Sequence, residues 1–336
     1  MSEQNTAPEE VVTKALVREV DLAPFGFAGS LSLITLDNGM DHTRPNTFGP
    51  QSLQELSNAI TAAEESGSAA IAITGKPFIF AAGADLSGIP YVKERSQSLA
   101  FGKLGHDIFK RLGRGKKPSF AFINGLALGG GLEVGLHCTY RTVASTALTA
   151  LPECFLGLVP GWGGATLLPK LIGPERAVQV IILNALNNNT MMKSSEALKL
   201  GVVDAAFEPA DFLEKSCQFA ATILNGTKKI ERQDYSSDGA AWDKAIATGK
   251  AAVAKKYGGA DIESPRKALE LIAAARTNSL DQGFDAEDEI LADLVMGNPL
   301  RASLYAFNLI QKKRKDRKST RLNSSHEWIS RMPSSA

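Results

Sequence analysis

Gly125-Leu-Ala-Leu-Gly-Gly-Gly-Leu-Glu133, followed by Leu151-Pro-Glu153-Cys-Phe-Leu-Gly-Leu-Val-Pro-Gly161-Trp-Gly-Gly164, decides how this chain is read. Three consecutive glycines remove side chains from a turn that opens into the apolar helix pattern Leu132-Glu-Val-Gly-Leu-His-Cys138. Bare backbone N–H groups at a helix N-terminus favour a developing negative charge. Glu133 falls in the first turn of that helix, and Glu153 follows a proline between apolar residues. Free donors beside two carboxylates suit proton chemistry next to an activated carbonyl. The pattern predicts an enzyme.

Working outward, strand and helix patterns alternate. Leu31-Ser-Leu-Ile-Thr-Leu36 reads as a strand closed by the turn Asp37-Asn-Gly39. Leu53 to Ile60 has the three-and-four apolar spacing of an amphipathic helix, and Ala69 to Thr74 is a short buried-strand run. A tight loop follows at Phe80-Ala-Ala-Gly-Ala-Asp85, then a helix over Ser98 to Leu112 and a strand over Pro118 to Ile123. This alternation predicts an α/β fold. From Pro169 to Leu224 the pattern is mostly helical, with Gly201 placed as a C-cap. The organisation expected is a flexible leader at 1–25, a catalytic domain at 26–225 and a polar connector at 226–262. A C-terminal helical region at 263–316 and a disordered, non-native tail at 317–336 complete it.

At 336 residues, 44% hydrophobic and 22% charged, the chain has the composition of an ordinary globular protein. The net charge of +1 conceals an asymmetry. Eight Lys/Arg from Lys312 onward face only Asp316 and Glu327, so the preceding body is mildly acidic and offers no nucleic-acid surface. Cys138, Cys154 and Cys217 form no metal-ligand spacing and leave an odd thiol, so no disulfide framework and no zinc site are expected. With neither a signal-peptide pattern nor a long apolar run, the expected compartment is cytoplasmic, without a membrane span.

Four motifs taken together resemble the crotonase (enoyl-CoA hydratase/isomerase) superfamily. They are Phe80-Ala-Ala-Gly-Ala-Asp85, Asn124 to Glu133, Pro152 to Gly164, and Ser195-Glu-Ala-Leu-Lys-Leu-Gly-Val-Val-Asp204. The resemblance implies a stacked β-β-α superhelix. It also implies an oxyanion hole from the amides of Ala84 and Gly130, a carboxylate pair Glu133 and Glu153, and Gly161 beside the water they share. Ala82, Gly83 and Asp85 would follow the CoA portion of an acyl-CoA substrate, and no separate cofactor is expected. The pattern around Phe284 to Leu294 and Leu304 to Arg314 further resembles the stretch joining hydratase to dehydrogenase in multifunctional fatty-acid oxidation proteins. On that basis the chain is expected to be the amino-terminal hydratase half of such a protein, with the dehydrogenase half lost by truncation near Lys315. The implied activity is hydration of 2-trans-enoyl-CoA in β-oxidation. The alternatives are Δ3,Δ2-enoyl-CoA isomerisation, or a non-catalytic acyl-CoA-binding subunit. Homo-oligomerisation or association with a thiolase is the partner expectation.

Two bland readings accompany these. Asp85 suits a helix N-cap, and His137, one turn after Glu133, suits a packed core position. Trp162 is bulkier than the small residue usual at that place in the resembled family and is expected to reshape the acyl pocket.

Overall fold

In a computed structural model, residues 8–306 and 309 are described. The centre of the fold is a β-strand, β-strand, helix unit used three times. β3 (Ala70–Gly75), β4 (Ile79–Ala81) and α2 (Arg95–Arg114) form the first, after β1 (Lys14–Asp21), β2 (Ser30–Asp37) and α1 (Pro50–Glu65). β5 (Ser119–Ile123), β6 (Leu126–Leu128) and α3 (Gly130–His137) form the second. β7 (Tyr140–Ala144), β8 (Leu148–Ala150) and the short α4 (Glu153–Leu156) form the third.

The first strand of each unit enters one sheet and the second strand enters another. β3, β5 and β7 run parallel in a six-stranded sheet, ordered β1-β2-β3-β5-β7-β10, where β10 is Ala205–Phe207. β4, β6 and β8 run parallel in a four-stranded sheet closed by the antiparallel β9 (Met192–Lys193). β3 and β5 are buried at every position, as expected for parallel strands covered on both faces.

The second half is helical. α5 (Gly164–Ile172) leads to α6 (Pro174–Val178), which continues through a π turn (Gln179–Leu183) into α7 (Asn184–Leu186). α8 (Ser194–Leu200) ends at Gly201 in the left-handed region, φ 85°, as its sequence predicts. α9 (Phe212–Leu224), α10 (Gly239–Lys256), α11 (Glu263–Ala275) and α12 (Leu280–Met296) follow. α12 packs along α2 and also touches α5, which itself packs against α3, the helix opened by the glycine-rich turn. No helix among the described residues is long and apolar enough to cross a membrane.

Two sequence expectations need correction. The presumed flexible leader contains β1, paired antiparallel with β2 from Lys14↔Asp37 to Asp21↔Ser30. Ahead of it, the Glu10 carboxylate accepts from the amides of Gln51 and Ser52 and so caps α1. β1 is an edge strand, exposed at most positions, so nothing forces the apolar alternation that would mark it. The presumed connector carries α10, whose buried stripe is Trp242, Ala245, Gly249 and Val253. Small residues make that stripe hard to tell from a linker. The expected tail at 317–336 lies outside the described residues.

Candidate active site

The turn from β6 into α3 is possible only with glycine. Gly129 has φ 52° and ψ −129°, and a Cβ there would stand 2.5 Å from Glu153 Oε1. Gly130, the first residue of α3, has an amide with no partner inside the helix, as helix geometry requires. Opposite lies the loop Ala82 to Asp85. Phe48 bridges to Ala84 in parallel register, donating its amide to Gly83 O (2.8 Å) and accepting from Asp85 N (2.9 Å). That pattern turns the Ala84 N–H to the opposite side. Among the described residues neither the Ala84 nor the Gly130 amide donates to another backbone group outside the regular elements. A Cβ on Gly83 would be 3.0 Å from Gly130 N, so the two segments are in contact. The proposed oxyanion donors therefore stand side by side.

Glu133 and Glu153 reach the same cleft but differ in environment. Glu133, buried one turn into α3, accepts from the amides of Trp162 and Gly164 at one oxygen, Oε1, both at 2.8 Å. Burial and then the nearby Glu287 charge push its carboxyl up to about 7, against the pull of those two amides and of His106. Glu153 starts α4, and its Oε2 is buried without a hydrogen-bond partner among the described residues. Burial, followed by the charge of Glu133, holds this carboxyl well above the usual carboxylate range. Both carboxyls are raised, but the two donors on Glu133 offset part of its shift, whereas the buried Oε2 of Glu153 has no such donor.

The cleft has a volume of about 460 Å³. Ala82, Gly83, Ala84, Asp85, Gly130, Glu133, Glu153 and Gly161 all line it, so the structure brings every candidate site residue to one place. Asp85 also caps the following turn, accepting from Ser87 N at 2.9 Å. Trp162 forms an inner wall, its indole N–H donating to Gly102 O at 3.1 Å and its ring set edge-on to Phe48, Phe101 and Phe109. α12 closes the far side with Leu291 and Val295, and a Cβ on Gly161 would meet Leu291 at 2.5 Å. His137 is buried, with Nε2 3.0 Å from Trp162 O, and burial lowers it to about 3, so it is a neutral core histidine.

Sequence reasoning missed a group behind the cleft. His106 on α2 lies 2.9 Å from Asp288 and 3.2 Å from Glu287, both on α12, and Glu287 accepts from Gly163 N at 2.6 Å. Burial pulls His106 down, but hydrogen bonds to Asp288 and Glu287 outweigh it and leave it at about 9. A signal was present. Phe284, Glu287, Asp288 and Leu291 share one helical stripe, so two acids occupy positions where an amphipathic helix is apolar.

Comparison with known proteins agrees with this geometry. The family profile described as Enoyl-CoA hydratase/isomerase matches residues 26–256. The chain is 30% identical over 270 residues to the "Fatty acid oxidation complex subunit alpha" of Idiomarina loihiensis, covering 78% of this chain but 37% of that protein. It therefore spans well under half the length of that relative. It is 33% identical over 182 residues to the "Crotonyl-CoA hydratase" of Syntrophomonas wolfei, covering 54% of this chain and 68% of the relative. Among solved structures, an enoyl-CoA hydratase from Bacillus anthracis is 25% identical, with a TM-score of 0.55 over 79% of this chain and 90% of that one. Human mitochondrial delta3-delta2-enoyl-CoA isomerase, 19% identical, shares the fold with a TM-score of 0.61 over 90% of this chain and 99% of that one. The β-β-α superhelix, the glycine turn it presents and the profile match place this chain in the enoyl-CoA hydratase/isomerase family.

Proposed function

We propose that the chain adds water across the C2=C3 bond of 2-trans-enoyl-CoA thioesters to give 3-hydroxyacyl-CoA, as a step of fatty-acid β-oxidation. The observation that carries this is the pairing of two buried carboxyls of opposite hydrogen-bond character beside two free amides. The thioester oxygen accepts from Ala84 N–H and Gly130 N–H. Glu133, ionised above about pH 7 with the Trp162 and Gly164 amides on its Oε1, takes a proton from water as the oxygen adds to C3. The alkene electron pair moves toward the thioester, and the charge on its oxygen is met by the two amides. One such donor is worth about 2.7–4 kcal/mol in the transition state. Glu153, held as the acid, delivers its proton to C2. One water is consumed, and a proton passing from Glu133 to Glu153 restores the starting pair. Gly161 shapes the space for that water, and the loop of Ala82, Gly83 and Asp85 lies where the CoA portion enters.

Isomerisation needs one carboxyl to move a proton between C2 and C4, whereas two carboxyls of unlike state serve hydration directly. The β-oxidation setting is supported by relatives named as fatty acid oxidation complex subunits. The test is loss of the enoyl absorbance of crotonyl-CoA with pure protein, alongside Glu133→Gln and Glu153→Gln. Each variant is expected to lose on the order of 10²–10⁴ in rate while still binding CoA. Flat absorbance with the unaltered protein, or full activity in either variant, overturns the assignment.

A further inference from the structure

Three consecutive amides hold two different carboxylates. Those of Trp162 and Gly164 go to Glu133, and the one between them, on Gly163, goes to Glu287. Gly163 has φ 103°, and a Cβ there would stand 2.6 Å from His137 Nε2, so the turn tolerates only glycine. Glu287 is fully buried; among the described residues its other oxygen has no partner and its one cationic contact is His106, which Asp288 holds from the opposite ring nitrogen. Phe284 stacks on the His106 ring at 4.7 Å and seals the group from solvent. Among the described residues no His, Cys, Asp or Glu group has the geometry to hold a metal ion.

Burying three ionisable groups is a poor route to stability, since apolar residues of similar volume usually serve as well or better. The placement of this group behind the catalytic turn gives it a different use. The geometry points to Glu287 as a positioning residue for the reaction: gripped by His106, it fixes the Gly163 amide, sets the two flanking amides that hold Glu133, and stands as a second negative charge behind that base. This rests on the reading of Glu133 as the base.

Among the described residues, the charges acting on Glu133 are those of Glu287 on α12 and His106 on α2, and Glu153 on α4 titrates with it. Around His106 stand Asp288 on α12, His137 on α3 and, over Phe284, Arg114 on α2. α5 offers its first backbone amide, that of Gly164. The charge of Glu287 acts on Glu133 more strongly than the charge of His106 does. Removing it lowers the Glu133 titration even when His106 releases its proton in response.

The test compares Glu287→Gln and Glu287→Ala in the full chain. Gln keeps an oxygen for the Gly163 amide and loses the charge. The acid limb of kcat/KM is expected to move down by about half a pH unit or more. Ala leaves the amide unpaired, and kcat is expected to fall on the order of tenfold with KM little changed. Glu287→Gln, being isosteric, carries the test if Ala does not fold. A purely structural role would lower thermal stability and leave the limb in place; a limb that stays or moves up in Glu287→Gln overturns the proposal. The titration of Glu133 is also read without turnover, from δ-carboxyl ¹³C NMR with Glu133→Gln assigning the resonance. A protein inactive on enoyl thioesters whose Glu133 resonance still titrates lower in Glu287→Gln would refute the hydratase reading and keep the clamp. An active protein whose resonance stays fixed would do the reverse.

Discussion

Glu133→Gln should make the protein more stable at alkaline pH while nearly abolishing hydration. Burial and the Glu287 charge raise the Glu133 carboxyl from 4.5 to about 7 in the folded protein. Between those values the folded chain keeps a proton that the unfolded chain has released. The stability associated with that proton is fully present below about pH 4.5 and is lost as pH rises through about 7. At about 1.36 kcal/mol per pH unit, the shift corresponds to roughly 3 kcal/mol, of which about 2–3 kcal/mol falls between pH 5 and pH 8.5. Gln has no such proton, and its side-chain oxygen still reaches the Trp162 and Gly164 amides, so pH-independent effects cancel when the two pH values are compared. The lowered charge also relaxes Glu153, which adds to the difference in the same direction. Urea unfolding of both proteins at the two pH values measures it directly. Parallel pH dependence in the unaltered protein and the variant would refute a buried, titrating Glu133.

Hydration by the unaltered protein should show an acid limb in kcat/KM near pH 7, because Glu133 must be ionised to take a proton from water. A limb near the ordinary glutamate value would contradict its environment. Gly129→Ala should cost on the order of a hundredfold in rate, since a Cβ 2.5 Å from Glu153 Oε1 must displace the acid, and the same absorbance assay reads it. Trp162→Ala should lower stability by about 3–5 kcal/mol in denaturant titration, as the indole fills the space among Phe48, Phe101 and Phe109.

What the sequence revealed and what it hid divide along the length scale of the interactions. Gly129, Gly130 and Glu133 sit within one helical turn, and Glu153 to Gly164 is another contiguous run, so their chemistry was legible as short motifs. The strands β2, β3 and β5 announce themselves because they are buried on both faces. β4, β6 and β8 have three residues each, too few to establish a period, and each leads into a segment of the candidate site. β1 carries Lys14, Arg18, Glu19 and Asp21 on an edge where burial imposes little pattern. The His106, Glu287 and Asp288 group joins residues more than 180 positions apart, and acids on a helix ordinarily mean a solvated face. Only their place in the apolar stripe of α12 distinguishes them.

The span between His106 and its partners on α12 also bears on when the protein becomes competent during synthesis. Loop closure over such a distance comes late, after the local β-β-α units have formed. A nascent chain halted at α11 would already hold Glu133 and Glu153 on their helices, yet lack the lid of Leu291 and Val295 and the anion that steadies Gly163. Such a ribosome-bound intermediate would be folded in its sheets, and emergence of residues 280–296 from the exit tunnel would complete the far wall of the cleft and the hold on Gly163.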